Sequence, residues 1–243
     1  MEREYNKDKY GACLEYLSTH PHATPEDLKW FELGQDKTKE ICVACVESLF
    51  RTTHKEAWQY YTDEFLRHIL PYAQSADIIY DLGCGYGYHL DLLKQHLPHK
   101  KFFGGEFASN ALTIAKKIFA NSRVTFEQID LTNPEFIFPF GKNDSVLIFT
   151  GYVFDNLPSV KDAIERIVSI KGKQWNIGLI EPIFEWCSDS LLGLLRKKYT
   201  LENDYNRDLL TILESHPNIE IIQKDKEFFG MNPLHPASFV CWR

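Results

Sequence analysis

Up to about Tyr72, apolar residues recur three and four apart between charged stretches and almost no run alternates with period two, so this part reads as helical. Thr24, Pro25 and Asp27 mark a helix start: the hydroxyl caps, proline fits the first turn, and the carboxylate reaches back. The spacing predicts a second helix from Asp36 toward Leu70, ended by Pro71, which lacks the next N–H and disfavours helical geometry before it. From Asp77 the rhythm changes to short apolar runs separated by amphipathic stretches. Ile78–Tyr80, Lys101–Phe103, Val124–Phe126, Ser145–Phe149 and Trp175–Ile180 read as strands. Leu90–His96, Asn110–Ala120, Val160–Ile170 and Asp189–Ser215, the last with a break near Thr200, read as helices. This alternation predicts an α/β fold, a parallel sheet with helical crossovers. At the end, Ile219–Ile222 and Ser238–Trp242 are strands with only the loop Phe228–Pro236 between them, which predicts an antiparallel hairpin. The chain thus divides into a helical N-terminal cap or lid over residues 1–72 and an α/β domain over residues 73–243.

Composition narrows the function classes. At 243 residues, with 44% hydrophobic and 25% charged residues, the chain can bury a sizeable core and is neither disordered nor a disulfide scaffold. Its net charge of −7 argues against nucleic-acid or anionic-membrane partners, which need basic clusters to displace counterions. Met1 to Gly11 is rich in charge and lacks the apolar core of a secretory signal, so a cytoplasmic location is expected. The longest apolar run, Val146–Phe154, falls far short of the ~20 residues of a membrane helix. Cys13, Cys42, Cys45, Cys84, Cys187 and Cys241 are scattered without framework spacing and are expected to be free thiols. Cys42 and Cys45 have C-x-x-C spacing, but a second pair is missing and on a helix the two merely share a face, so no metal is expected.

The most informative stretch runs from Ile78 through Asp81, Gly83, Cys84 and Gly85 to Gly87: a strand that ends in an acid and enters three glycines before a helix. The dinucleotide fingerprint is G-x-G-x-x-G and offers a helix terminus to a pyrophosphate. Here the spacing is G-x-G-x-G, and Asp81 would repel phosphate while suiting ammonium and sulfonium groups. At this point the sequence resembles the class I S-adenosylmethionine-dependent methyltransferases, whose first motif reads [DE]-x-G-x-G-x-G. The resemblance extends to Glu106 and Asp130, acids that close the next two strands. It implies a Rossmann-like seven-stranded sheet, mostly parallel with an antiparallel last strand, and S-adenosylmethionine as cofactor. By the same resemblance Glu106 accepts the ribose hydroxyls and Asp130 the adenine amino group, and Phe107, Leu131 and Phe149 complete the cofactor pocket. Cys84 reads as a small residue tolerated in a ligand loop rather than as a nucleophile.

In this family the segment after the fourth strand shapes methyl acceptance. Here it is Phe149 to Pro158, without the Asn/Asp-Pro-Pro-aromatic motif of enzymes that methylate exocyclic amines. If the fold is right, Glu181 and the Phe229–Pro236 loop meet it, which makes Tyr152, Asp155, Glu181 and His235 the catalytic candidates. Each has a structural alternative: Asp155 as a cap for the helix near Ser159, Glu181 as partner of a lysine, His235 as a brace between Pro233 and Pro236. The Trp58-Gln59-Tyr60-Tyr61 cluster reads as packing between cap and core, or as an aromatic wall of the substrate pocket. Together these residues point to a methyltransferase acting on an oxygen or nitrogen of a small molecule or peptide. A catalytically silent cofactor-binding subunit and another transferase using the same cofactor stay open, as does the oligomeric state.

Overall fold

The computed structural model describes residues 2–131, 133 and 135–243. A seven-stranded sheet is built from β3 (Ile78–Leu82), β4 (Lys101–Glu106), β5 (Val124–Gln128), β6 (Val146–Gly151), β7 (Trp175–Glu181), β8 (Ile221–Phe229) and β9 (Ala237–Trp242). Its order is β5-β4-β3-β6-β7-β9-β8. β9 alone runs against its neighbours, inserted between β7 and β8, so the closing hairpin pairs as expected. Every residue of β3 is buried, and its side chains alternate between two cores. Ile79 joins α3 (His54–Ser75), α4 (Tyr88–His96) and α5 (Ser109–Ile118) on one face. Ile78, Tyr80 and Leu82 join α6 (Lys161–Ile170) and α8 (Leu209–Ser215) on the other. The helix expected over Asp189–Ser215 is two, α7 (Leu191–Glu202) and α8, separated by a turn in which Asp204 has φ 51°.

The N-terminal part departs from expectation. After α1 (Tyr10–Thr19) and α2 (Pro25–Glu32), whose capping box at Thr24 and Asp27 is formed, residues 40–53 are not helical. They make a two-stranded hairpin, β1 (Glu40–Cys45) and β2 (Ser48–Thr53). Local spacing is overruled by a tertiary partner: Ala44 and Gly230 exchange backbone hydrogen bonds of 2.9 and 2.8 Å, which extends the pairing across the chain. On a strand, residues three apart point to opposite faces, so Cys42 and Cys45 do not share one. α3 then starts at a second capping box, Thr53 with Glu56, and continues past Pro71 to Ser75. Pro71 is exposed, so the Arg67 carbonyl it leaves unpaired can face water, while Ile69 and Ala73 on the inner side stay docked on the sheet. Among the described residues no helix is long and apolar enough to cross a membrane.

One buried cation locks these pieces together. Arg196 of α7, 1% exposed, donates to Glu227 on β8 (2.8 Å), to the Pro233 carbonyl (2.9 Å) and to the Val46 carbonyl in the β1–β2 turn (2.8 Å). Both residues it organises, Val46 in the β1–β2 turn and Glu227 at the irregularity in β8, hold positive φ angles of 53° and 47°. Arg196→Met, which strands the Glu227 carboxylate in the interior, is expected to lower stability by about 3–5 kcal/mol in urea unfolding. Adding Glu227→Leu should restore most of the loss, because a buried ion pair replaced whole is close to neutral. A single variant with an unchanged midpoint would show that the clamp does not hold the fold.

Candidate active site

β3 delivers Asp81 to the sheet edge, and the chain then turns through Gly83, Gly85 and Gly87 at φ 84°, 54° and 91°. These left-handed angles favour glycine. At Gly83 the close approach matters as well, since a Cβ there would collide with the side chain of Val153. Asp81 is 1% exposed and neither carboxylate oxygen has a hydrogen-bond partner. Burial, and next to it the charge of Glu106, push its pKa well above the usual carboxylate range. Glu106, at the end of β4, accepts from the Gly85 and Ala108 N–H groups at 2.8 Å each and so holds the glycine turn against the strand end. Asp130 lies two residues beyond β5 rather than closing it. The Cys84 thiol is buried, and burial followed by the nearby charges of Asp81 and Glu106 raises its pKa, which makes it a poor nucleophile.

These elements open onto a cavity of about 600 Å³. Gly83, Cys84, Gly85, Glu106, Phe107, Asp130 and Leu131 line it from the sheet edge, and Tyr152 and His235 from the facing loops. Asp81 sits buried behind the turn. Gly87 begins α4 and backs onto Phe119, while Phe149 is in the core, 5.6 Å from the Phe65 ring; neither lines the cavity.

The acceptor-side candidates form one connected group. His235 Nε2 lies 2.9 Å from Asp155 Oδ2, leaving the buried Nδ1 without a partner. Tyr205 and Tyr152 flank the imidazole with ring centroids at 4.6 and 5.9 Å. Asp155 does not cap the helix near Ser159; Asp208 does, accepting from the Ser159 hydroxyl and the Val160 N–H. Glu181 pairs with no lysine: it accepts from the Thr150 hydroxyl (2.6 Å) and from the Val153 and Asp155 N–H groups, bracing the segment that carries Tyr152 and Asp155.

The sequence leaves the Trp58–Tyr61 cluster open between packing and pocket wall, and leaves His89, Lys29 and Glu32 unassigned. Trp58 and Tyr61 line the cavity, whereas Tyr60 is outside it, packed on Phe229. His89 stacks on Phe65 at 4.3 Å, with Nε2 3.1 Å from the Tyr61 hydroxyl. Burial, and then the charge of Lys29, press its pKa down to about 3, so it is neutral at physiological pH. Its place directly after the glycine turn, one residue into α4, was the available signal. Lys29 and Glu32 of α2 reach the cavity 2.8 Å apart, and nothing in their local pattern announced it.

Residues 79–172 match the family model described as a methyltransferase domain. This stretch is a methyltransferase domain. Among solved structures, the domain's fold recurs in a SAM-dependent methyltransferase from Anabaena variabilis at 19% identity and TM-score 0.53, over 79% of this chain and 95% of that one. The plantazolicin methyltransferase BpumL, in complex with a monoazolic desmethylPZN analog and SAH, aligns over 100% of this chain and 98% of its own, at 13% identity and TM-score 0.54. Geranyl diphosphate C-methyltransferase from Streptomyces coelicolor A3(2) aligns over 78% and 80% at 8% identity and TM-score 0.57. At these identities the likeness is one of fold. No curated protein matches the chain.

Glu181 supplies a test of the methyltransferase site's electrostatics. Burial first, and then the charge of Asp155, push its pKa up to about 8. A carboxyl whose folded pKa is raised contributes stability below its unfolded pKa and loses it as pH rises through the folded value. The melting temperature of Glu181→Gln, measured against the parent, should therefore gain steadily between pH 5 and 8 and level off above. Parallel curves across that window would contradict the placement of this acid.

Proposed function

We propose that the protein transfers a methyl group from S-adenosylmethionine to an oxygen or nitrogen of a small molecule or peptide, with residues up to about 72 as a cap over the reacting centre. The observation that carries this reading is Asp81, a buried carboxylate with both oxygens unpartnered, two residues before Gly83 in the cavity wall. Such a group is costly to bury unless a ligand compensates it. A cationic ammonium fits that need and a pyrophosphate does not. Glu106 fits the ribose, because each of its oxygens accepts one backbone N–H and keeps a further lone pair. Asp130 would take the adenine amino group, with Phe107 and Leu131 flanking the ring.

Bound there, the cofactor would supply an electrophilic methyl with the sulfur as leaving group. The chain's own task is mainly alignment, worth up to ~7–11 kcal/mol in well-oriented systems. Asp155 accepts from His235 Nε2–H and fixes the tautomer, so Nδ1 carries the lone pair that takes the acceptor's proton. Tyr152 positions rather than titrates: burial, then the charges of Asp155 and Glu181, raise its phenol pKa. Tyr10, Lys29, Glu32, Trp58 and Tyr61 reach the cavity from the cap and would exclude water from it. The net charge of −7 supports an acceptor without a polyanionic backbone, and the structural neighbours' named compounds, such as geranyl diphosphate, are small.

An acceptor is found by incubating the protein with tritiated S-adenosylmethionine and metabolite or peptide fractions. With it, His235→Asn should bind cofactor as the parent does and turn over ~10²-fold or more slowly. Normal turnover by this variant would remove His235 from the site. Cofactor binding without transfer in every fraction would favour a silent binding subunit.

A further inference from the structure

We propose that the acceptor is a flat aromatic molecule, neutral or anionic rather than cationic, seated against Trp58, Tyr61 and Tyr88; this rests on the transferase reading above. The three side chains come from two helices and line the cavity as one wall. Trp58 stacks on Tyr61 with centroids 5.0 Å apart and planes at 27°, and meets Tyr88 at 5.1 Å. Their polar ends are already satisfied within the protein. The Trp58 indole N–H donates to the Tyr88 hydroxyl at 2.8 Å, and the Tyr61 hydroxyl pairs with the neutral His89 imidazole at 3.1 Å. The wall therefore offers ring faces and edges rather than hydrogen bonds, and aromatic pairs gain beyond area burial where a saturated ring does not.

Charge sets the second part of the inference. The attraction of this wall for a cation is already used by Lys29, whose ammonium lies 5.2 Å from the Trp58 ring centroid and 5.9 Å from that of Tyr88. The Lys29 ammonium is held in this place by Glu32 at 2.8 Å, on the same helix. The other cavity acids, Glu106 and Asp130, are assigned to the cofactor. A cationic acceptor would meet like charge over the rings it needs, whereas a phenol or an aromatic acid would not.

The test is calorimetry on the full-length protein saturated with S-adenosylhomocysteine, titrated with 2-naphthol, decahydro-2-naphthol and 2-naphthylmethylamine at pH 7. The inference expects 2-naphthol to bind about tenfold or more tightly than the saturated ring and more tightly than the amine. Trp58→Leu should remove the preference for the aromatic ring while S-adenosylhomocysteine still binds. Equal affinity for the two alcohols, tighter binding of the amine, or no binding of 2-naphthol to the saturated protein would overturn it. Failure of S-adenosylhomocysteine itself to bind is a different result, which defeats the transferase reading and takes this inference with it.

Discussion

A carboxylate buried at the end of a central parallel strand, with no donor for either oxygen, is the constraint around which this molecule is arranged. Asp81 is held there because β3 is buried along its whole length, and neither of its oxygens has a hydrogen-bond partner. Glu106, one strand over, fastens the same turn through two backbone N–H groups and adds a second negative charge nearby. The free protein therefore stores an electrostatic demand behind the glycine turn that forms part of the cavity wall.

The opposite wall of the site is held by different means. The segment after β6 carries Tyr152 at φ 58° and Asp155, and Glu181 gathers its backbone N–H groups to keep it in that shape. The loop carrying His235 is tied at the Pro233 carbonyl by Arg196, which also reaches the β1–β2 turn. The hairpin of the N-terminal region and the loop of the closing hairpin thus share one guanidinium. The imidazole that meets Asp155 is positioned by parts of the chain that are distant in sequence.

Strands and crossover helices of the α/β part were legible because their signals are local. Apolar runs such as Ile78–Tyr80 and Trp175–Ile180 are buried on both faces and cannot be read as anything amphipathic. Glu106 does close β4, as its spacing predicts, whereas Asp130 lies two residues past the end of β5. The β1–β2 hairpin was not, because its pairing is completed by Gly230, far along the chain, and no window around Ala44 contains that information. The capping box at Thr53 and Glu56 would have placed the start of α3 correctly. His235 and Asp155 were each identified, yet their 2.9 Å pairing spans 80 residues and follows only from the sheet topology. Glu181 was read as a catalytic candidate and is a brace, a distinction that depends on which backbone N–H groups face it.

The central claim, that the unpartnered Asp81 carboxyl is held for a cationic cofactor, is tested most directly by counting protons. S-adenosylmethionine is titrated calorimetrically into the parent and into Asp81→Asn in buffers of different ionisation enthalpy. Burial raises the Asp81 pKa and an ammonium beside it lowers it again, so binding should release up to about one proton from the parent and none from the variant. The parent's affinity should accordingly rise with pH. Tight binding by the parent with no dependence on buffer or pH would contradict the account.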